Sequence, residues 1–550
     1  MRSKRIVLPI LIASIAIGGF SQAPDKAKVI AGAERAFERV AKTNPMPAPG
    51  CAVGVSVNGE SVFEKAFGLA DMEHNIPNTP QTIFESGSVA KQFTAAALVL
   101  LQQDGKLNID DPVRKYIPEL PDYGKPLTIR HMLNHTAGLR DWGNVMRLTG
   151  VGRGDRIVTQ DIALDVMRRQ LSLDFEPGAE YSYSNSGYNL AAIIVERVSR
   201  KTFSDFLAER IFRPLGMTHS SIRDDYQRIV AGRAQAYSRD GAKAPWRLEM
   251  PLMNVYGNGG ELTTVGDWLK WNASLDSKML GAPFVEALET RGKLNDGRTI
   301  QYALGLVVQD HKGIKEVSHS GSTAGYQTFL ARYPEKKLSI AVLCNGSSPG
   351  GVAIGGSIVD EIFGPFPEPQ KSVDTASTGI EQLNKYVGLA ANEKTHFPVR
   401  FNIENGKLRI NSSPLSAQKD GSFLFGGNVR FKFKLDKTGK PLYADREQDG
   451  EIIRFVYKPE WKPAPAELSS FAGEWYSDEA QARVKIAIEG EKLTVSNKPL
   501  FNISMTPQYK DHFTADSYTI WFTRDKNGKI VRMHIGGSRM RDMPFGRVTK

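Results

Sequence analysis

The chain has 550 residues, with 71 Lys and Arg against 60 Asp and Glu, a formal charge of +11. That length exceeds one ordinary hydrophobic core, so two or three domains are expected, and the composition is that of a soluble globular protein. The basic residues are interspersed with acidic ones and form no stripe with interleaved aromatics, which argues against nucleic acid as a partner and leaves a weak attraction to an anionic envelope surface.

Residues 1–23 have the layout of a secretory signal. Arg2, Lys4 and Arg5 precede an apolar run from Ile6 to Ile17, followed by Gly-Gly-Phe-Ser-Gln-Ala23. The run is short for a bilayer, which takes about 20 residues. Pro24 hinders cleavage after Ala23, so cleavage after Ser21 is an equal expectation, and no Cys follows to carry a lipid. Without the three basic residues the charge is +8. The sequence implies an exported, periplasmic or secreted protein; an uncleaved N-terminal anchor is the alternative.

Asp25 to Lys42 reads as an amphipathic helix, and Cys51–Gly68 as a hairpin turning at Asn58-Gly59. Cys51 opens one expected strand and Cys344 closes another. If those strands pair antiparallel, the two cysteines face each other and can form a disulfide in an oxidising compartment; two buried free thiols are the other reading.

Ser88-Val89-Ala90-Lys91 opens an apolar helix that stops at Gly105. Residues three apart share a helix face, which sets the Lys91 amine beside the Ser88 hydroxyl. A serine becomes a nucleophile when a neighbouring base takes its proton. The amine must be neutral to do so, at a cost of roughly 4–5 kcal/mol at pH 7 from an ordinary pKa near 10.4, and burial lowers that cost. The same spacing at Ser416 and Lys419 lies in a polar stretch and reads as a turn.

Further along, His131 and His135 are four apart, but no third ligand accompanies them, and they read as helix-end and packing residues rather than zinc ligands. Tyr183-Ser184-Asn185 precedes an apolar helix over 190–198. Tyr183 can relay a proton and Asn185 can hold an amide, or Ser184 or Asn185 simply caps the helix. Tyr256-Gly257-Asn258 repeats the spacing in a Gly-rich turn, where the residues serve backbone geometry. Strands are expected near 302–308, 316–320, 326–333 and 338–345, with a helix over 352–363. His319-Ser320-Gly321-Ser322 ends one of these strands, and its small residues let a ligand backbone approach. His311-Lys312-Gly313 and His534-Ile535-Gly536 share its spacing.

Residues 365–380, rich in Pro, Ser and Thr, read as a linker. Beyond it Leu383-x-x-Tyr386-x-Gly388 recurs as Leu468-x-x-Phe471-x-Gly473, and the same offset of 85 relates Ile403 to Ile488, Lys407 to Lys492 and Leu408 to Leu493. Pro459–Pro465 separates the copies.

Taken together, Ser88/Lys91, Tyr183/Asn185 and His319/Gly321 resemble the Ser-x-x-Lys, Tyr-x-Asn and Lys/His-x-Gly elements of the penicillin-recognising serine hydrolases: class C β-lactamases, D,D-carboxypeptidases, D-aminopeptidases and related esterases. Leu133–Leu139, Pro214–Met217 and Gly259–Thr264 with Asp267 look similar to further segments of that family. The motif order rejects Lys437-Thr438-Gly439, which lies beyond the linker in an expected turn.

The resemblance implies an α+β domain over 24–364, an antiparallel sheet flanked by helices, then two all-β barrel-like modules over 381–460 and 466–550 like those of D-aminopeptidases. It implies an acyl-enzyme on Ser88, acid and base work shared by Lys91 and Tyr183, amide binding by Asn185, and an oxyanion hole from the backbone N–H groups of Ser88 and Ser322. His319 would bind the substrate's polar end and tune Tyr183; His where β-lactamases usually carry Lys argues against efficient β-lactam hydrolysis. The expected substrates are D-amino-acid peptides or small esters, with no cofactor and no metal. A β-lactamase, a penicillin-binding sensor without turnover, and distal modules in contact with the cell wall are the alternatives.

Overall fold

A computed structural model describes residues 23–548 apart from 152–155, 347–349, 367–378, 427–428, 449–450 and 498–500. The signal expected over 1–23, save Ala23, and most of the linker lie outside the described residues.

The N-terminal domain is built on a six-stranded antiparallel sheet. Its order is Val307–His311, Ile314–Thr323, Tyr326–Tyr333, Leu338–Cys344, Cys51–Val57, Glu60–Phe67. The early hairpin thus closes onto the late strands. Asn58 and Gly59 both adopt positive φ (53° and 77°), as the tight turn between its strands requires. Cys51–Val57 and Leu338–Cys344 are buried along their whole length because both faces of the sheet are covered. Helices Lys26–Lys42 and Gly351–Phe363 pack on one face around Val55, Ile340 and Ile358. Helix Val265–Asp276 and the larger helical layer cover the other.

The pairing register sets Cys51 directly opposite Cys344, their Cα atoms are 4.0 Å apart, and the two sulfurs are bonded. The free-thiol reading is therefore replaced by a cross-strand disulfide joining residues 293 apart in sequence.

One expected strand is displaced. The apolar run 302–308 suggested a strand, but pairing begins at Val307. Gly305 turns the chain at φ 73°, and a Cβ there would stand 2.6 Å from the Lys91 carbonyl oxygen. The approach of this loop to the helix that begins at Lys91, rather than sheet pairing, decides its conformation.

Both distal modules begin with a short helix, Ile380–Asn384 and Pro465–Leu468, and their first strands start at Gly388 and Gly473. These reproduce the offset of 85. The first module is a nine-stranded sheet between 388 and 457 whose two end strands, Ser413–Pro414 and Ser416–Ala417, are adjacent in sequence; the second is a closed eight-stranded barrel between 473 and 547. The second barrel's core, including Phe471, Trp475 and Phe545, is continuous with that of the N-terminal domain. Both rejected motifs fall in the first module. Ser416–Lys419 leads into a turn, and Asp436 accepts backbone N–H bonds from Thr438 and Lys440 in a hairpin turn.

Candidate active site

Gly87–Ala90 forms a 3-10 turn that runs into the helix Lys91–Gln103, so Ser88 and Lys91 occupy the helix entry. Lys91 is fully buried and Ser88 is partly open to a cavity of about 660 Å³. The Lys91 Nζ lies 2.7 Å from the Asn258 carbonyl oxygen, 3.0 Å from Asn185 Oδ1 and 3.2 Å from Ser88 Oγ.

Burial holds the Lys91 pKa well below the usual lysine value; the cation of Arg539 pushes the same way and the Asp141 carboxylate opposes it. A neutral amine has two N–H bonds and one lone pair. Asn258 and Asn185 accept the two N–H bonds, which leaves the lone pair facing the Ser88 hydroxyl. This is the arrangement of a base ready to take the serine proton.

Tyr183 completes the group. Its hydroxyl shares a hydrogen bond with Ser88, and its ring centroid lies 5.0 Å from Lys91 Nζ. Burial raises its pKa above the ordinary phenol value, so it holds its proton and can donate it. Asn185 opens the helix Ser186–Ser199 without capping it by its side chain, which turns instead to Lys91. Its backbone N–H donates to Asp141 Oδ2 at 2.8 Å.

The opposite rim is the far end of strand Ile314–Thr323. Pairing with Val307–His311 stops at Ser318, which leaves the outer edge of residues 319–323 facing the cavity. Two glycines let this edge approach the nucleophile. A Cβ on Gly87, at φ 53°, would meet Ser322 N at 2.7 Å, and one on Gly321 would meet the Ser86 carbonyl oxygen at 2.1 Å. The Ser322 backbone is thereby held against the turn that carries Ser88, as a two-donor oxyanion hole needs.

His319 is buried. Its Nδ1–H donates to the Ser320 carbonyl at 2.6 Å, and its Nε2 accepts from the Tyr302 hydroxyl at 2.8 Å. Burial, with the nearby Lys91 amine, pushes its pKa down to about 3. It is a neutral imidazole with both nitrogens engaged. Its ring is 6.3 Å from that of Tyr183, and Tyr302 stands beside both.

The sequence reading brings Ser88, Lys91, Tyr183, Asn185, His319, Gly321 and Ser322 to one cavity. It misses four contributors. The Asn258 carbonyl fixes Lys91, although the turn containing it was assigned to backbone geometry alone. Asp141 caps the helix Trp142–Arg147 and holds Asn185. His135, assigned to packing, packs directly behind Tyr183 with ring centroids 4.0 Å apart, and its Nδ1 accepts the Ser184 N–H. Arg539, from the second barrel, lines the cavity with its guanidinium 4.8 Å from the Tyr183 ring centroid.

A buried lysine facing a serine at a helix entry, across a cavity from the free edge of a strand, is the arrangement of a serine hydrolase. Residues 40–359 match the family model described as Beta-lactamase, and the chain belongs to that family. It is 30% identical over 427 residues to penicillin-binding protein 4* of Bacillus subtilis, covering 72% of this chain and 93% of that one. It is 25% identical over 528 residues to a D-aminopeptidase of Gluconobacter oxydans, covering 91% of this chain and 96% of that one. Among solved structures, the octameric penicillin-binding protein homologue of Pyrococcus abyssi superposes with a TM-score of 0.55 at 24% identity, over 78% of this chain and all of that one. D-amino acid amidase of Ochrobactrum anthropi superposes with a TM-score of 0.50 at 23% identity, over 61% and 97%.

Proposed function

We propose that the protein is an exported serine hydrolase that cleaves D-amino-acid peptides or small esters through an acyl-enzyme on Ser88. Lys91 Nζ, fully buried and 3.2 Å from Ser88 Oγ, is the observation that carries this reading, because burial favours the neutral amine that can take the serine proton. Ser88 Oγ attacks the scissile carbonyl while its proton passes to Lys91 Nζ. The N–H groups of Ser88 and Ser322 hold the developing oxyanion, each worth about 3 kcal/mol. Collapse breaks the bond to the leaving nitrogen or oxygen, which takes a proton from Tyr183; Lys91 returns a proton to Tyr183. Water then adds to the acyl carbonyl, with Lys91 and Tyr183 as base, and releases a carboxylic acid and free Ser88.

Relatives named D-aminopeptidase and penicillin-binding protein support a substrate with D-amino acids. His319 stands where β-lactamases usually carry Lys, and this departure argues against efficient β-lactam hydrolysis. The signal-like residues 1–23 and the Cys51–Cys344 disulfide support export.

The test is intact mass after incubation with a fluorescent penicillin and, separately, p-nitrophenyl acetate, comparing wild type with Ser88→Ala. A Ser88-dependent adduct or burst is expected, and its decay measures turnover. Absence of any Ser88-dependent adduct or turnover with both reagents would overturn the assignment. The same spectra give the mature N-terminus, expected after Ser21 or Ala23.

A further inference from the structure

The cavity that holds Ser88 is closed by a residue from a different domain. Arg539 lies in the hairpin turn between strands Ile530–Gly537 and Met540–Arg547 of the second barrel, 451 positions beyond Ser88. The turn is fixed to the hydrolase domain on both sides of that side chain. The Asp141 N–H donates to the Arg539 carbonyl at 2.9 Å. The Arg541 N–H donates to both Asp174 carboxylate oxygens at 3.1 Å, and its guanidinium pairs with Glu180 at 3.0 Å. The Arg539 side chain is half-buried against Tyr183, close enough for its charge to be felt at Lys91, and no ion pair joins it to any described carboxylate.

The charge balance around it is one-sided. Of the groups that line the cavity, Arg539 and Arg147 are cations and Asp141 is the one carboxylate among the described residues. Asp141 is already committed: Oδ1 accepts from Gly143 and Asn144, and Oδ2 accepts from Asn185. His319 is neutral at neutral pH, and burial disfavours the charged form of Lys91. A guanidinium is a planar fork that binds a carboxylate through two parallel hydrogen bonds and keeps its charge at every working pH.

We propose that Arg539 is an anion-binding residue of the active site, and that the substrate presents a carboxylate to it. This rests on the serine hydrolase reading above. It makes the second barrel a supplier of specificity, and it turns the enzyme toward peptides or esters with a carboxylate near the scissile bond and away from substrates with a free amine there. The carboxylate sits on the leaving group or on the acyl side.

Two substrate pairs separate those sources. N-acetyl-D-alanyl-D-alanine against its C-terminal amide tests the leaving side. N-succinyl-D-alanine p-nitroanilide against the N-acetyl analogue tests the acyl side. kcat and KM are measured for wild type, Arg539→Ala, Arg539→Lys and Arg539→Glu, with melting temperature as the check on folding. Wild type is expected to favour the acidic member of one pair at least tenfold in kcat/KM. Arg539→Ala should lose that ratio, chiefly through KM; Arg539→Lys should keep part of it; Arg539→Glu should reverse it. An acid-to-neutral ratio that Arg539→Ala leaves unchanged in both pairs, or a wild type that prefers the neutral members or free-amine D-amino-acid amides, would overturn the proposal. Ser88-dependent turnover of p-nitrophenyl acetate by the wild type reads the hydrolase assignment separately, so the two can fail independently.

Discussion

The two walls of the active-site cavity are made in different ways. On one side Ser88, Lys91, Tyr183 and Asn185 stand on helix entries within a continuous apolar core, and strand 314–323 is brought in by glycines at 87 and 321. On the other, Arg539 hangs from a barrel turn held by polar clamps: Asp141 and Asp174 to the turn itself, and the buried Arg140, 2.9 Å from Glu479 of the barrel. The first wall fixes proton positions to within a hydrogen bond. The second sets what may enter. Chemistry is thus encoded in one domain and selectivity in another, with Asp141 joining the two through the Arg539 carbonyl and the Asn185 N–H.

The largest effect that would separate the walls comes from Lys91→Met, which removes the base. It should lower acylation by both neutral and acidic substrates by roughly 10³-fold or more, read as burst rate. The same variant carries a stability signature. Burial lowers the Lys91 pKa, so between that lowered value and about 10.4 the unfolded chain binds a proton that the folded chain does not, and wild-type stability rises with pH over that window. The stability of Lys91→Met minus that of wild type should therefore shrink as pH is raised from 7 to 10 in denaturant titrations. Next, Tyr183→Phe should cost about 10²–10⁴-fold in kcat, most for amide substrates whose nitrogen needs a proton to leave.

On the other wall, Arg140→Ala removes the buried guanidinium that contacts both the Asp174 and Glu479 carboxylates and leaves them only backbone N–H donors. A loss of about 3–5 kcal/mol in unfolding free energy is expected. It should also weaken discrimination between acidic and neutral substrates more than it slows a small neutral ester; equal losses on both would mean that the barrel supports the catalytic groups themselves.

The smallest effect is in acid. His319 takes up a second proton only below about 3, and burial also lowers His135. Unfolded histidines take up protons near 6.5, so the native state should lose stability as pH falls from 6.5 towards 3. Melting temperature against pH, with His319→Gln showing a shallower fall over that range, checks this.

The first wall was legible in the sequence because its geometry is local. A Ser and a Lys three apart on an apolar helix must be neighbours, and Tyr183 and Asn185 announce themselves by standing ahead of the next apolar helix. The barrel repeat was legible from its offset of 85. The displaced strand near 302 was not, because the apolar run conceals Gly305, whose contact with the Lys91 backbone depends on tertiary approach. Asn258 contributes a carbonyl, which every residue has, so its side chain gave no signal. Arg539 lies in an ordinary hairpin turn, and only the docking of the barrel places it beside Tyr183.

The central claim is that Lys91 is a neutral base at physiological pH. It is tested most directly by the pre-steady-state rate of Ser88 acylation by p-nitrophenyl acetate, followed from pH 5 to 10. A rate that reaches its plateau well below pH 10, controlled by one group lost in Lys91→Met, is the expected result. A rate that climbs tenfold per pH unit towards 10 would show an ordinary charged lysine and would contradict the account.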